Sequence, residues 1–148
     1  MTREIFLLSG PNLNLLGERQ PEIYGTHTLD EHVTRFREIA ATFDCSVHHV
    51  QSNAEGTLID AIQEARGRAV AIVLNAGALT HYSWSLHDAL STFDGIKVEV
   101  HLSNPQAREP HRHRSTLAGV VNGTIAGFGQ GSYELAAYAV RDLIAKRA

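Results

Sequence analysis

The amino-acid sequence predicts a doubly wound α/β sandwich built around a five-stranded parallel sheet. Short runs rich in β-formers alternate with stretches of helical periodicity along the whole chain. The most apolar run, residues 69–74 (AVAIVL), reads as a strand covered on both faces, as central strands of parallel sheets are. The polar motifs follow the first, third and fourth strand patterns, and ligands in such sheets gather beyond the carboxyl ends of the strands. With 148 residues the chain suits a single domain, residues 1–148. A domain of that size buries roughly two-thirds of its unfolded surface without disulfides or metals.

The elements follow in order. Residues 4–9, centred on IFLL, form the first strand. The loop SGPNLNLLGERQPEIYGTH comes next, with no secondary-structure periodicity and with Arg19 and Tyr24 inside it. Its length and composition suit a mobile functional loop or lid better than a connector. Thr28 opens T-x-x-E with Glu31, a capping box, and Leu29, Val33, Phe36, Ile39 and Ala40 recur at helical spacing. The second strand, residues 45–50, ends in the polar turn QSNAEG. Leu58, Ile59, Ile62 and Ala65 then repeat as a second helix closed by Gly67. The third strand leads through NAGALTH into a helix over residues 83–92. A fourth strand opens at Lys97, a fifth covers residues 123–128 (GTIAGF), and GQGSYELAAYAVRDLIAKR makes a final amphipathic helix. Right-handed crossovers between parallel strands make a flavodoxin-like order, 2-1-3-4-5, the expected sheet. In that order GPNLN, NAGALTH and HLSNPQAREPHR converge on one cleft.

The stretch KVEVHLSNPQAREPHR carries the strongest chemical signal. Strand alternation places Lys97, Glu99 and His101 on one face and Val98 and Val100 on the other. An acid beside a histidine inside a central strand points to an oriented imidazole able to move a proton, with a satisfied ion pair at a strand edge as the alternative. Composition narrows the rest. Hydrophobic content of 43% and a net charge of −3 describe a soluble globular protein without the basic excess of a nucleic-acid binder, and no apolar run is long enough to span a membrane. MTREIFLLSG is wrongly flanked and too short for a signal peptide, so a cytoplasmic location is expected. Cys45 is the only cysteine, which excludes an intramolecular disulfide and a multi-cysteine zinc site. The only lysines, Lys97 and Lys146, lie away from the expected cleft, which argues against Schiff-base chemistry. His48, His49, His111 and His113 have no metal-ligand spacing and read as surface residues. Gly127, Gly129 and Gly131 leave open a non-catalytic module holding an anionic metabolite or nucleotide, although GFGQG lacks the dinucleotide or P-loop spacing.

Four stretches, GPNLNLLGERQPEIYG, LNAGALTHYSWSLHDA, EVHLSNPQAREPHRHRS and GTIAGFGQGSYELA, resemble the successive motifs of the type II 3-dehydroquinate dehydratases. These enzymes convert 3-dehydroquinate to 3-dehydroshikimate, and the resemblance spans nearly the whole chain in order. It implies a flavodoxin-like fold, neither metal nor organic cofactor, and a homo-oligomer, commonly a dodecamer of four trimers. Removing water from a β-hydroxy ketone needs a base for the carbon-bound proton, stabilisation of the enolate, and an acid for the departing hydroxyl. The resemblance implies Tyr24 as the base, Arg19 beside it on the lid, and Arg108 approaching as the lid closes. A tyrosine ordinarily ionises near pH ~10, so a phenolate base at neutrality requires roughly 4 kcal/mol of preferential stabilisation, which guanidinium groups can supply. His101 corresponds to the proton donor, with Glu99 holding its ring, and Asn12 to the residue that positions a water near the enolate oxygen. Asn75 and the backbone amides of Leu102 and Ser103 correspond to the carboxylate site, His81 and Arg112 to groups binding ring hydroxyls, and Asp88 to an acid reaching a neighbouring subunit's site. Three positions depart from the pattern: His87 replaces a usual arginine, and Pro110 and His111 stand where Glu followed by an aromatic is commoner.

Overall fold

The computed structural model describes residues 2–147. Strands β1 (Arg3–Ser9), β2 (Cys45–Gln51), β3 (Ala71–Asn75), β4 (Ile96–His101) and β5 (Gly123–Ala126) form one parallel sheet in the order β2-β1-β3-β4-β5. This is the architecture and strand order expected from the sequence. Helices α2 (Leu29–Ala41) and α5 (Gln130–Arg147) cover one face, and α3 (Glu55–Ala65) and α4 (Trp84–Ser91) the other.

The period of the strands explains the two cores. On β1, Ile5 and Leu7 join Val33, Phe36 and Val140 on the α2–α5 side, while Phe6 and Leu8 join Leu58, Ile62 and Leu86 on the α3–α4 side. Val98 and Val100 of β4 belong to the first core, so Glu99 and His101 point to the opposite face. The third strand starts two residues later than its apolar run because Ala69 N–H bonds back to Ala65 O at 2.8 Å as the chain leaves α3. The fifth stops at Ala126 because Gly127 turns into the left-handed region (φ 96°). Thr28 Oγ1 accepts from Glu31 N–H at 3.2 Å, as the capping box requires.

The long loop between β1 and α2 is more ordered than its sequence suggests. It contains a 3-10 turn, Leu13–Leu15, and a single helical turn, α1 (Pro21–Tyr24). Each is too short to show periodicity, although Pro21 at the first helical position is a helix-start signal. Leu13 and Leu16 are buried in the α2–α5 core and anchor the base of the loop beneath the cleft.

His32 on α2 is an oddity in this core. It is 1% exposed, stacks on Tyr133 with ring centroids 5.1 Å apart, and neither ring nitrogen has a hydrogen-bond partner. Burial, reinforced by nearby His27, pushes its pKa down from 6.5 to about 4. Because the folded value lies below the unfolded one, the unfolded chain takes up this proton first, and stability falls as pH drops through 6.5 towards 4. The linkage amounts to about 2 kcal/mol at pH ~5. His32→Phe keeps the stacked shape and removes this loss. Its gain in Tm is therefore expected to be clearly larger at pH ~5 than at pH ~7.5, as read by calorimetry; equal gains at both would show that His32 carries no such linkage.

Candidate active site

The carboxyl ends of β1, β3 and β4 open into a cavity of about 140 Å³. Ten residues singled out in the sequence line it: Asn12, Arg19, Tyr24, Asn75, His81, His101, Leu102, Ser103, Arg108 and Arg112. Glu99 stands behind His101, and Asp88 lies elsewhere.

Glu99 is fully buried in the middle of the sheet, beside Leu74 on β3 and Thr124 on β5. Its Oε2 receives hydrogen bonds from His101 Nε2 at 2.6 Å and from the Thr80 hydroxyl, while Ser115 Oγ lies 2.9 Å from both carboxylate oxygens. Burial pushes the Glu99 carboxyl upward, but hydrogen bonding and charge from His101, joined by Thr80 and Ser115, outweigh it and hold the group below the usual carboxylate range. The strand-edge ion pair left open by the sequence is thus a buried one, with one imidazole nitrogen committed to the acid and the ring 9% exposed at the cavity.

Tyr24 ends the helical turn α1 and hangs over the cavity from the lid. Arg108 Nη1 donates to its hydroxyl at 2.8 Å, and the guanidinium carbons of Arg19 and Arg108 lie 4.5 Å and 5.2 Å from its ring centroid. The phenol oxygen is thus met by one guanidinium and its ring is flanked by two. Asn12 has a left-handed backbone (φ 69°), and its N–H is held by Asn53 Oδ1 at 3.0 Å. Gln51 Nε2 donates to Gly10 O at 3.2 Å, so the turn after β2 braces the turn after β1.

The rest of the wall is set by short connections. Asn75 is 3% exposed; its Oδ1 accepts from Gly77 N–H and its Nδ2 donates to Tyr133 Oη, both at 3.2 Å, which fixes the orientation of the amide. His81 Nδ1–H donates to Arg114 O at 2.7 Å. Burial lowers the pKa of His81, opposed by that carbonyl, and the nearby charges of His101, Arg112 and His111 lower it further. Arg112 Nε is 2.5 Å from Glu109 Oε2, which holds the Glu109 carboxyl below its ordinary value and turns the guanidinium edge. Ser103 Oγ accepts from Arg108 Nη1 at 3.4 Å.

Asp88, on the outer face of α4, has a side chain 83% exposed and pairs with His87 Nδ1 at 3.1 Å. It contributes nothing to the cavity of its own chain. Lys97 donates to Leu90 O and Phe93 O at 3.1 and 2.8 Å, at the opposite end of its strand from the cavity, and so caps the helix before it. The glycines after β5 serve the backbone: Gly127 packs where a Cβ would come 3.2 Å from Asn104 Cβ, and Gly129 N–H bonds Leu102 O at 3.0 Å. His49 corrects one sequence reading. It is half-buried rather than superficial, its Nε2 meets Ser9 Oγ at 3.0 Å, and burial, helped by Arg37, lowers its pKa to about 4. Thr80 and Ser115 are the functional candidates that residue patterns missed. The one available signal was indirect: a carboxylate inside a central strand must find donors, and hydroxyl residues lay in both neighbouring loops.

The family model described as Dehydroquinase class II matches residues 3–141. A 3-dehydroquinate dehydratase of Cereibacter sphaeroides is 50% identical over 145 residues, covering 98% of this chain and 99% of the relative. One of Gloeothece citriformis is 51% identical over 142 residues, covering 96% and 93%. The crystal structure of the type II dehydroquinase from Butyrivibrio crossotus superposes with a TM-score of 0.90 at 40% identity, over 95% of this chain and 98% of that one. The type II dehydroquinase from Propionibacterium acnes gives 0.89 at 39% identity, over 95% and 97%. A matching family model over nearly all of the chain, close relatives over nearly their whole length and a shared fold together mean that the chain belongs to the class II dehydroquinase family.

Proposed function

We propose that this chain dehydrates 3-dehydroquinate to 3-dehydroshikimate by anti elimination through an enolate, with Tyr24 as base and His101 as acid. The observation that carries the reading is the meeting, in one cavity, of a tyrosine flanked by two guanidiniums and a histidine backed by a buried carboxylate. The Tyr24 phenolate takes the proton from the carbon beside the ketone, and the electron pair moves into the carbonyl as an enolate. Asn12 holds a water against the enolate oxygen. The enolate then collapses, the carbon–oxygen bond at the β position breaks, and His101 gives a proton to the departing hydroxyl, which leaves as water. The substrate carboxylate sits against Asn75 and the amides of Leu102 and Ser103, and the ring hydroxyls against His81 and Arg112. Glu99 holds the ring of His101 and offsets the charge it carries before the proton is given. The enzyme's place is the shikimate pathway or quinate breakdown, in the cytoplasm.

Adding 3-dehydroquinate to the purified protein and following the conjugated enone in the ultraviolet tests the reading. A steady rise in absorbance is expected. A flat trace from folded protein removes it and returns the cleft to an anion-binding module.

The same reading includes assembly into trimers, and of trimers into a dodecamer, with Asp88 reaching a neighbour's cavity. What supports it is that Asp88 is exposed on α4 one turn after Trp84, which is itself 54% exposed, and that Tyr82, just before the helix, is 64% exposed, apolar area that symmetric closure would cover. Sedimentation at working concentration is expected to show multiples of three subunits. A fully active monomer would refute the part given to Asp88.

A further inference from the structure

We propose that Thr80 and Ser115 are positioning residues for the dehydration, their hydroxyls holding the Glu99 carboxylate charged and in line with His101 Nε2 so that Nδ1 is the ring atom that gives the proton. This rests on the reading of His101 as the acid and goes beyond it by naming what sets that acid.

Glu99 is 0% exposed, and among the described residues its only ion-pair partner is His101. The remaining partners are hydroxyls from three separate elements: Thr80 on the turn after β3, Ser115 on the loop before β5, and Thr124 of β5 at 3.5 Å. A carboxylate so placed stays charged only if its oxygens are filled by donors.

The direction of the Ser115 bond is fixed by its surroundings. A serine hydroxyl has one hydrogen and two lone pairs. Ser115 Oγ accepts from the backbone N–H groups of Leu117 and Ala118, each at 3.1 Å, which leaves its single hydrogen for Glu99. The two hydroxyl-bearing segments are also tied together. Thr116 N–H donates to Thr80 O at 2.8 Å, and Thr116 Oγ1 donates to Ser83 O at 3.0 Å. The Thr80 and Ser115 hydroxyls lie 3.1 Å apart, so both reach the acid from one side. With the carboxylate fixed there, His101 Nε2–H is committed to it at 2.6 Å, and the other ring nitrogen is the one left for chemistry.

Removing a hydroxyl concentrates the carboxylate's charge on the remaining bond to His101. The pair then holds its proton more tightly, so the limb of the dehydration profile that reports its loss moves to higher pH. The other titratable and charged groups around the pair are His81 on the turn after β3, His111 and Arg112 on the turn at residues 110–112, and Tyr24, Arg19 and Arg108 across the cavity. Lys97 shares the strand face but is turned to the end of α4.

The test compares Ser115→Ala and Thr80→Val with the hydroxyl-retaining Ser115→Thr and Thr80→Ser, measuring dehydration against pH and exchange of the substrate's acidic carbon proton with solvent deuterium. In the hydroxyl-less variants kcat is expected to fall about tenfold, with KM moving far less, and exchange is expected to outpace dehydration by about the same factor. The high-pH limb should move upward, and the conservative variants should restore all three readouts. A loss of kcat with unmoved exchange ratio and pH limb would reduce the hydroxyls to packing and overturn the proposal. Nitrogen-15 spectra of the wild-type enzyme give a test that needs no variant to fold: the neutral His101 ring is expected to carry its proton on Nε2, and a proton on Nδ1 overturns the proposal. Should His101→Ala itself dehydrate at the wild-type rate, the underlying assignment of the acid fails instead, and the two failures are told apart.

Discussion

Tyr24→Phe is expected to cost about 10²–10⁴-fold in turnover while substrate binding is nearly kept, the range a positioned general base supplies. The ring and its stacking between the guanidiniums of Arg19 and Arg108 survive the change; only the oxygen that meets Arg108 at 2.8 Å is lost. No other group on the lid can replace it, since the lid carries no lysine and neither its carboxylates, Glu18 and Glu22, nor its histidine, His27, lines the cavity. A fall in kcat with a retained dissociation constant for 3-dehydroquinate, measured by calorimetry, identifies an interaction made in the transition state. Proton exchange at the substrate carbon should vanish with turnover. Wild-type exchange in Tyr24→Phe would place the base elsewhere. Arg19→Ala gives a graded companion result: with one of the two guanidiniums beside the Tyr24 ring gone, the rate is expected to fall, by less than in Tyr24→Phe, and substrate binding to suffer less than the rate.

The part of this site legible in the sequence is the part carried by local order. The alternation of Lys97, Glu99 and His101 against Val98 and Val100 alone puts the acid and the imidazole on one face of the strand. The convergence of three loops followed from strand order alone. Contacts between loops were not legible. Thr80 and Ser115 lie 35 residues apart and meet only because the turn after β3 and the loop before β5 are stitched by Thr116. His49 read as superficial because a pair of adjacent histidines on an edge strand has no pattern; its burial comes from packing under Ser9 and beside α2. The helical turn holding Tyr24 was hidden for a different reason, as four residues cannot display a period of 3.6.

His101→Ala should separate the two halves of the reaction. Dehydration is expected to fall by about 10²–10⁴-fold, because the hydroxyl must then leave without a positioned proton. Abstraction of the carbon proton depends on Tyr24, Arg19 and Arg108, which stand across the cavity and do not touch the Glu99–His101 pair. The enolate should therefore still form and return, and solvent deuterium should enter the substrate faster than product appears. Loss of the ring also strands Glu99, fully buried with hydroxyls as its remaining partners, so the carboxyl is expected to take up a proton and the variant to stay folded with a neutral acid at the sheet's centre. Glu99→Gln gives the complementary case: the amide keeps the shape, but as an acceptor through one oxygen only it no longer offsets an imidazolium, and dehydration should fall while exchange persists. If both exchange and dehydration collapse together in His101→Ala with folding intact, the histidine takes part in forming the enolate rather than in releasing the hydroxyl, and the division of labour between Tyr24 and His101 is wrong.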